Sequence, residues 1–166
     1  MKKRMIMFAL LLMAMVSVQA QSLLGTWKLS DVDGMKFYQT FSPGQKTTIK
    51  IVQDKINDEM GVIEMTVTIP GTYIMKGKTI TMNMNTQATD AKFSKMQFNS
   101  ETEKMFKEMP EMKKHFVDEM QKALEETKKG LKEDLPLGGD MEILSLTNTT
   151  LKLNVGGDVM TFTKTK

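Results

Sequence analysis

Polar and apolar positions alternate through much of the first half of the chain. The clearest run is Val62 to Ile69, where Ile63, Met65, Val67 and Ile69 are separated by Glu64, Thr66 and Thr68. A period of two with one polar face predicts a half-buried strand. Similar runs cover Leu24 to Ser30, Met35 to Phe41 and Thr47 to Gln53. Asp33-Gly34 and Ser42-Pro43-Gly44 separate them as turns, and Pro70-Gly71 is read as the end of the run from Val62. The stretch "TYIMKGKTITMNMN" then reads as a hairpin turning at Lys76-Gly77-Lys78, with Ile80, Met82 and Met84 on one face and Thr79, Thr81 and Asn83 on the other. Near the C-terminus, Met141 to Leu146, Leu151 to Val155 and Val159 to Thr163 give three more hairpin-linked strands. Eight or nine short strands joined mostly by turns predict an antiparallel meander, which can remove its edges by closing into a barrel.

Between these blocks, at residues ~87 to 135, the period changes to that of a helix. Ser100 with Glu103 has the spacing of a capping box, so a short helix is predicted to start there. Pro110 fits only as the opening residue of a second helix, because inside one it would remove a hydrogen bond and clash with the preceding turn. Met105, Met109, Met112, Phe116, Met120, Leu124 and Leu131 fall on one apolar stripe, with Lys and Glu opposite. The expectation is a two-helix insertion whose stripe covers something apolar.

The first twenty residues belong to neither pattern. They hold Lys2, Lys3 and Arg4, an apolar run from Met5 to Val16, and small residues ending at Ala20. That is the pattern of a secretory signal peptide cleaved after Ala20, and the run is too short for a spanning helix. The expectation is one soluble domain, residues 21–166, exported to a periplasm or the extracellular space. The chain contains no Cys, so stability is expected from a packed core rather than disulfides. Three of its 23 cationic residues lie in the leader, and the remaining 20 balance 20 acidic ones. A nucleic-acid partner, which calls for clustered positive charge, is not expected.

"LLGTWKLS" at residues 23–30, the run of hairpins, and a last strand "DVMTFTKTK" with a cation after the aromatic together resemble the lipocalin-like (calycin) proteins, especially their exported bacterial relatives of mostly unassigned function. The resemblance implies that Gly25 and Trp27 open the first strand and that the indole closes the barrel floor beneath a basic residue. Lys164 is the best match for that cation, although the family usually has arginine there. The helices fall outside the resemblance, since lipocalins usually carry theirs after the eighth strand.

Methionine is the remaining anomaly, with 18 in the chain and 13 beyond the leader. Thioethers are soft ligands suited to Cu(I), and Met105, Met109 and Met112 lie near His115 in sequence. The competing role is an adaptable apolar lining. Shared faces with Ile80, Phe116 and Leu124 favour the lining, so no metal and no cofactor is expected. The residues expected to line a pocket are Ile63, Met65, Val67, Ile80, Met82, Met84, Met105, Met109, Met112 and Phe116. Gly77-Lys78-Thr79 is not a phosphate loop, since a strand rather than a helix follows, and "DVDG" lacks the other ligands of a calcium loop. No nucleophile, base and acid can be assembled, so catalysis is not expected. The leading expectation is a binding protein for an apolar small molecule or lipid. The alternative is a protein-interaction or inhibitor module that presents its helices.

Overall fold

The computed structural model describes residues 23–30, 34–54, 59–134 and 138–165, with backbone only at 131–134. The expected leader and its cleavage point lie outside these residues, as do Asp33 and the side chain of Leu131. Among the described residues there are nine strands: β1 (Gly25–Leu29), β2 (Met35–Ser42), β3 (Lys46–Gln53), β4 (Gly61–Lys76), β5 (Thr79–Met84), β6 (Asp90–Phe98), β7 (Gly138–Leu146), β8 (Thr150–Val155) and β9 (Asp158–Lys164). Two helices, α1 (Ser100–Glu108) and α2 (Pro110–Asp134), stand before the last three strands. Eight strands close an antiparallel barrel in the order β1-β2-β3-β4-β5-β7-β8-β9, and β9 returns to β1. Closure leaves these eight without a free edge to recruit other chains.

The ninth strand explains the fold's asymmetry. Both β5 and β6 pair with β4, β5 opposite Gly71 to Lys76 and β6 opposite Gly61 to Thr68. They occupy the same edge of β4 in succession, separated by a short 3-10 turn at Thr86–Ala88. Beyond that turn β6 leaves the barrel circuit and extends only the sheet of β2, β3 and β4.

Two boundary expectations are corrected. Pro70-Gly71 does not end a strand, because β4 runs through it to Lys76. In an antiparallel strand the N–H and C=O of one residue point the same way. The Pro70 carbonyl accepts from Asn85 N at 2.8 Å, so the missing Pro70 donor faces the changeover between β5 and β6, where the ladder is interrupted anyway. Gly71 is required by crowding: a Cβ there would meet Asn83 O at 2.6 Å and Met84 Sδ at 2.7 Å. The second correction concerns the expected helical insertion at about 87–135, which begins with strand β6 and becomes helical only at Ser100.

The first helix is capped one residue upstream of the expected Ser100. Asn99 accepts from Thr102 N at 2.8 Å through its side chain, and its Nδ2 donates to Glu59 O at 2.7 Å. One residue therefore both starts α1 and ties it to the turn before β4. Pro110 opens α2 as expected. An Asn99→Ala variant should lose about 1 kcal/mol of stability, whereas Ser100→Ala should be nearly neutral. Paired chemical-denaturation curves check this, and equal losses would reassign the cap.

Candidate functional site

Cross-strand register sorts the inward-facing residues into rows, since residues directly opposite one another share a face. At one end lie Gly25, Phe41, Thr47, Gly71 and Met84. The next row holds Lys164, Trp27, Gln39, Ile49 and Ile69, and the third Phe162, Leu29, Phe37, Ile51, Val67 and Ala91. The last is Met35, Gln53, Met65 and Phe93.

The Trp27 end is solid. Trp27 is 0% exposed and belongs to a cluster with Leu23, Phe41, Tyr73, Ile80, Met141, Leu151 and Phe162, among others. Its indole N–H donates to Leu23 O at 2.8 Å, so the one polar atom of the ring is satisfied inside the core. Lys164 Nζ lies 4.9 Å from the ring centroid. Gly25 makes that approach possible, with φ +125° and its missing Cβ only 2.7 Å from Lys164 Cε. The three residues singled out for a barrel floor are thus brought together where the first strand meets the last. Burial also raises the Tyr73 phenol above its ordinary value, in keeping with an apolar surrounding.

Burial then declines along the rows. Trp27, Gln39 and Ile69 are buried in the second, Val67, Ala91 and Phe162 in the third, and all four residues of the Met35 row are partly exposed. An apolar, inward-facing surface therefore reaches solvent at the end remote from the Gly25 row. Across it lies α2. Leu124, 3% exposed, is buried among Val67, Ile69, Met84 and Ala91, with Ile49, Ile51, Met65, Met82 and Phe93 around them. Among the described side chains of α2, Leu124 alone is fully buried. Closer to its start the helix is held by an aromatic group, Phe116 with Phe98 and Phe106 at ring separations of 5.8 Å each. Phe98 and Phe106 are themselves edge-to-face at 5.0 Å.

The candidate lining residues separate into groups. Val67, Met84, Met65 and Met82 lie in the cluster beneath α2, whereas Ile80 belongs to the solid Trp27 core and Ile63 is buried outside both clusters. Phe116 is in the aromatic group, and Met105 is half-buried. Met109 and Met112, each 43% exposed, line nothing. They sit at the corner between α1 and α2, where the chain turns and the helical stripe loses contact with the sheet. Leu124, expected on the apolar stripe, is the stripe residue that covers the sheet, whereas Phe37, Gln39 and Phe93 were not among the expected residues. The first two were legible in the alternation Phe37, Gln39, Phe41, whereas Phe93 is obscured by a bulge in its strand.

Three surface cavities lie elsewhere: about 610 Å³ along α2 beside His115, Asp118 and Lys122, about 170 Å³ at Phe98, Phe106 and Lys113, and about 400 Å³ at Lys78, Asp140 and Glu142. None of the ten candidate lining residues borders them. Among the described residues no helix is long and apolar enough to cross a membrane.

No family model, curated protein or solved structure matches this chain. The closed eight-stranded antiparallel barrel is compatible with a lipocalin-like fold, and a barrel of this kind can hold a small molecule.

Two substitutions test the geometry. Gly25→Ala should cost about 1–3 kcal/mol, from the left-handed backbone and displacement of the Lys164 side chain, measured by denaturation. Leu124→Ala should cost about 2–5 kcal/mol locally. Its amide exchange should accelerate in α2 well before the strands of the barrel, and uniform acceleration would show that helix and barrel open as one unit.

Proposed function

We propose that this protein is an exported, non-enzymatic binding protein of lipocalin-like type that holds an apolar small molecule or lipid between the barrel interior and α2. The observation that carries the reading is the gradient of burial along the inward face. The Trp27 end is filled by side chains, while Phe37, Ile51, Met65 and Phe93, further along the inward face, are apolar and partly exposed. Unbranched Met65 gives that surface an adaptable wall, and Met82 bridges it to the Trp27 core, which suits a ligand without a fixed shape. Its apolar character favours water-excluding binding over chemistry, since no acid, base and nucleophile group has been assembled there.

A second reading is favoured by a different observation. Met109 and Met112, each 43% exposed, stand three residues apart at the corner between the helices, as expected of a module that presents this corner to a protein partner.

The neutral dye N-phenyl-1-naphthylamine distinguishes them. Saturable fluorescence enhancement with one dye per chain is expected, and Met65→Asp should weaken it at least about tenfold through the cost of an unpaired charge on the apolar wall. Met112→Asp should leave it unchanged. Loss of dye binding in the second variant but not the first would move the site to the helical corner, and an absence of saturable binding would sink the carrier reading.

A further inference from the structure

The inward face beneath α2 contains one polar side chain whose hydrogen bonding is only half accounted for. Gln39, 6% exposed, stands in the second row between Trp27 and Ile49. Its Nε2 donates to Thr47 Oγ1. The orientation of the amide is fixed by its partner: the Thr47 hydroxyl donates its single proton to Thr40 O at 2.9 Å, so towards Gln39 it can only accept. The Gln39 carbonyl oxygen therefore points away from Thr47, and no described residue donates to it. Among the described residues no fully buried side-chain polar atom lacks a partner, so this oxygen is not completely sealed and keeps some contact with solvent.

Its position along the strand gives that oxygen a meaning. Met35, in the partly exposed row, is four residues away on β2, about 13 Å along an extended strand. Between them lies the Phe37, Ile51 and Val67 row, which is wholly apolar. A ligand that fills this stretch meets hydrocarbon along its length and the carbonyl oxygen of the Gln39 amide at its inner end.

We infer that Gln39 is the specificity-determining residue of the site, and that the ligand is an apolar chain or ring system carrying one neutral hydroxyl, held with that hydroxyl innermost against the Gln39 carbonyl. The inference rests on the carrier reading above and deepens it. A hydroxyl supplies the proton that the carbonyl needs, whereas an ionised carboxylate has none to give and pays for burying its charge along an apolar wall. A purely hydrocarbon ligand displaces water from the carbonyl and leaves it bare, a loss of affinity relative to the alcohol.

The test compares dodecan-1-ol, its methyl ether and dodecanoate as competitors of N-phenyl-1-naphthylamine on the full chain. Dodecan-1-ol is expected to compete about tenfold better than the ether, which has the same shape at the head but no proton to donate, and better than dodecanoate. Gln39→Met should bring the alcohol down to the level of the ether and leave the ether unchanged. Trp27, the cross-strand neighbour of Gln39 and the single tryptophan, reports orientation. Quenching by 2-bromododecan-1-ol should exceed that by 12-bromododecan-1-ol. Equal competition by alcohol and ether on the unaltered protein overturns the role of Gln39 while leaving the carrier intact, and needs no variant to fold. Dodecanoate as the best competitor also overturns it, by making a cation the anchor. If the dye itself fails to bind, the carrier reading and this inference fall together.

Discussion

The seam between β1 and β9 is the interaction on which the rest of the molecule depends. β1 has only five residues, and its pairing with β9 covers Trp27 to Leu29. So short a ladder is reinforced by side chains: the indole is buried across it, Lys164 lies over the ring, and Thr165 donates to Thr26 O through both its backbone N–H at 2.8 Å and its hydroxyl at 3.1 Å. Without that seam the sheet would have two bare edges and an open core. The Gly25-x-Trp27 spacing is therefore a geometric requirement. Position 25 must lack a side chain so that Lys164 can pass, and position 27 must be large enough to fill the space where the strands converge.

Full burial at one end coexists with partial exposure at the other, and the partnership of β4 is correspondingly unequal. On one edge it pairs continuously with β3, and on the other it exchanges β5 for β6. From Thr68 to Gly71 the strand advances three residues while its partners pass from Met84 to Asp90, and the excess is taken up by the 3-10 turn. β5 stays in the circuit because β7 pairs with its far edge, opposite Thr79 to Asn83. β6 has α2 beside it instead. A helix offers no backbone groups to a strand, so this part of the wall is joined by side-chain packing alone.

How much of this was legible in the sequence depends on whether a feature is local. Strands whose alternation is unbroken, such as Ile63 to Ile69 or Ile80 to Met84, carry their face assignment in their own residues. β6 does not. Ala91 and Phe93 alternate, then Ser94 is inserted by a bulge opposite Glu64 and Met65, and the apolar phase resumes as Met96 and Phe98. The slipped phase reads as no period at all, which is why the segment merged with the helices that follow. Pro70 misleads for a related reason: its tolerance depends on an interruption in partner strands that its own neighbours do not encode. The Met109 and Met112 stripe fails differently, since helical spacing continues across the corner at Pro110 although the surface it would cover does not.

The inequality between the two ends also sets an order of stability within the chain. Removing the seam exposes Trp27 together with Phe41, Leu151 and Phe162, several side chains each worth about 1.5–3 kcal/mol of burial. Lifting the middle of α2 exposes one such side chain, Leu124, with the partly covered Met120 beside it. The aromatic group of Phe98, Phe106 and Phe116 lies toward the start of α2 and can hold that part of the helix in place while the rest moves. Local opening at a cost well below global unfolding is what the proposed carrier needs in order to exchange a ligand. The distribution of aromatic side chains matches that division: Trp27, Phe41, Tyr73 and Phe162 gather where the strands close, and Phe93 alone lies in the cluster beneath the helix.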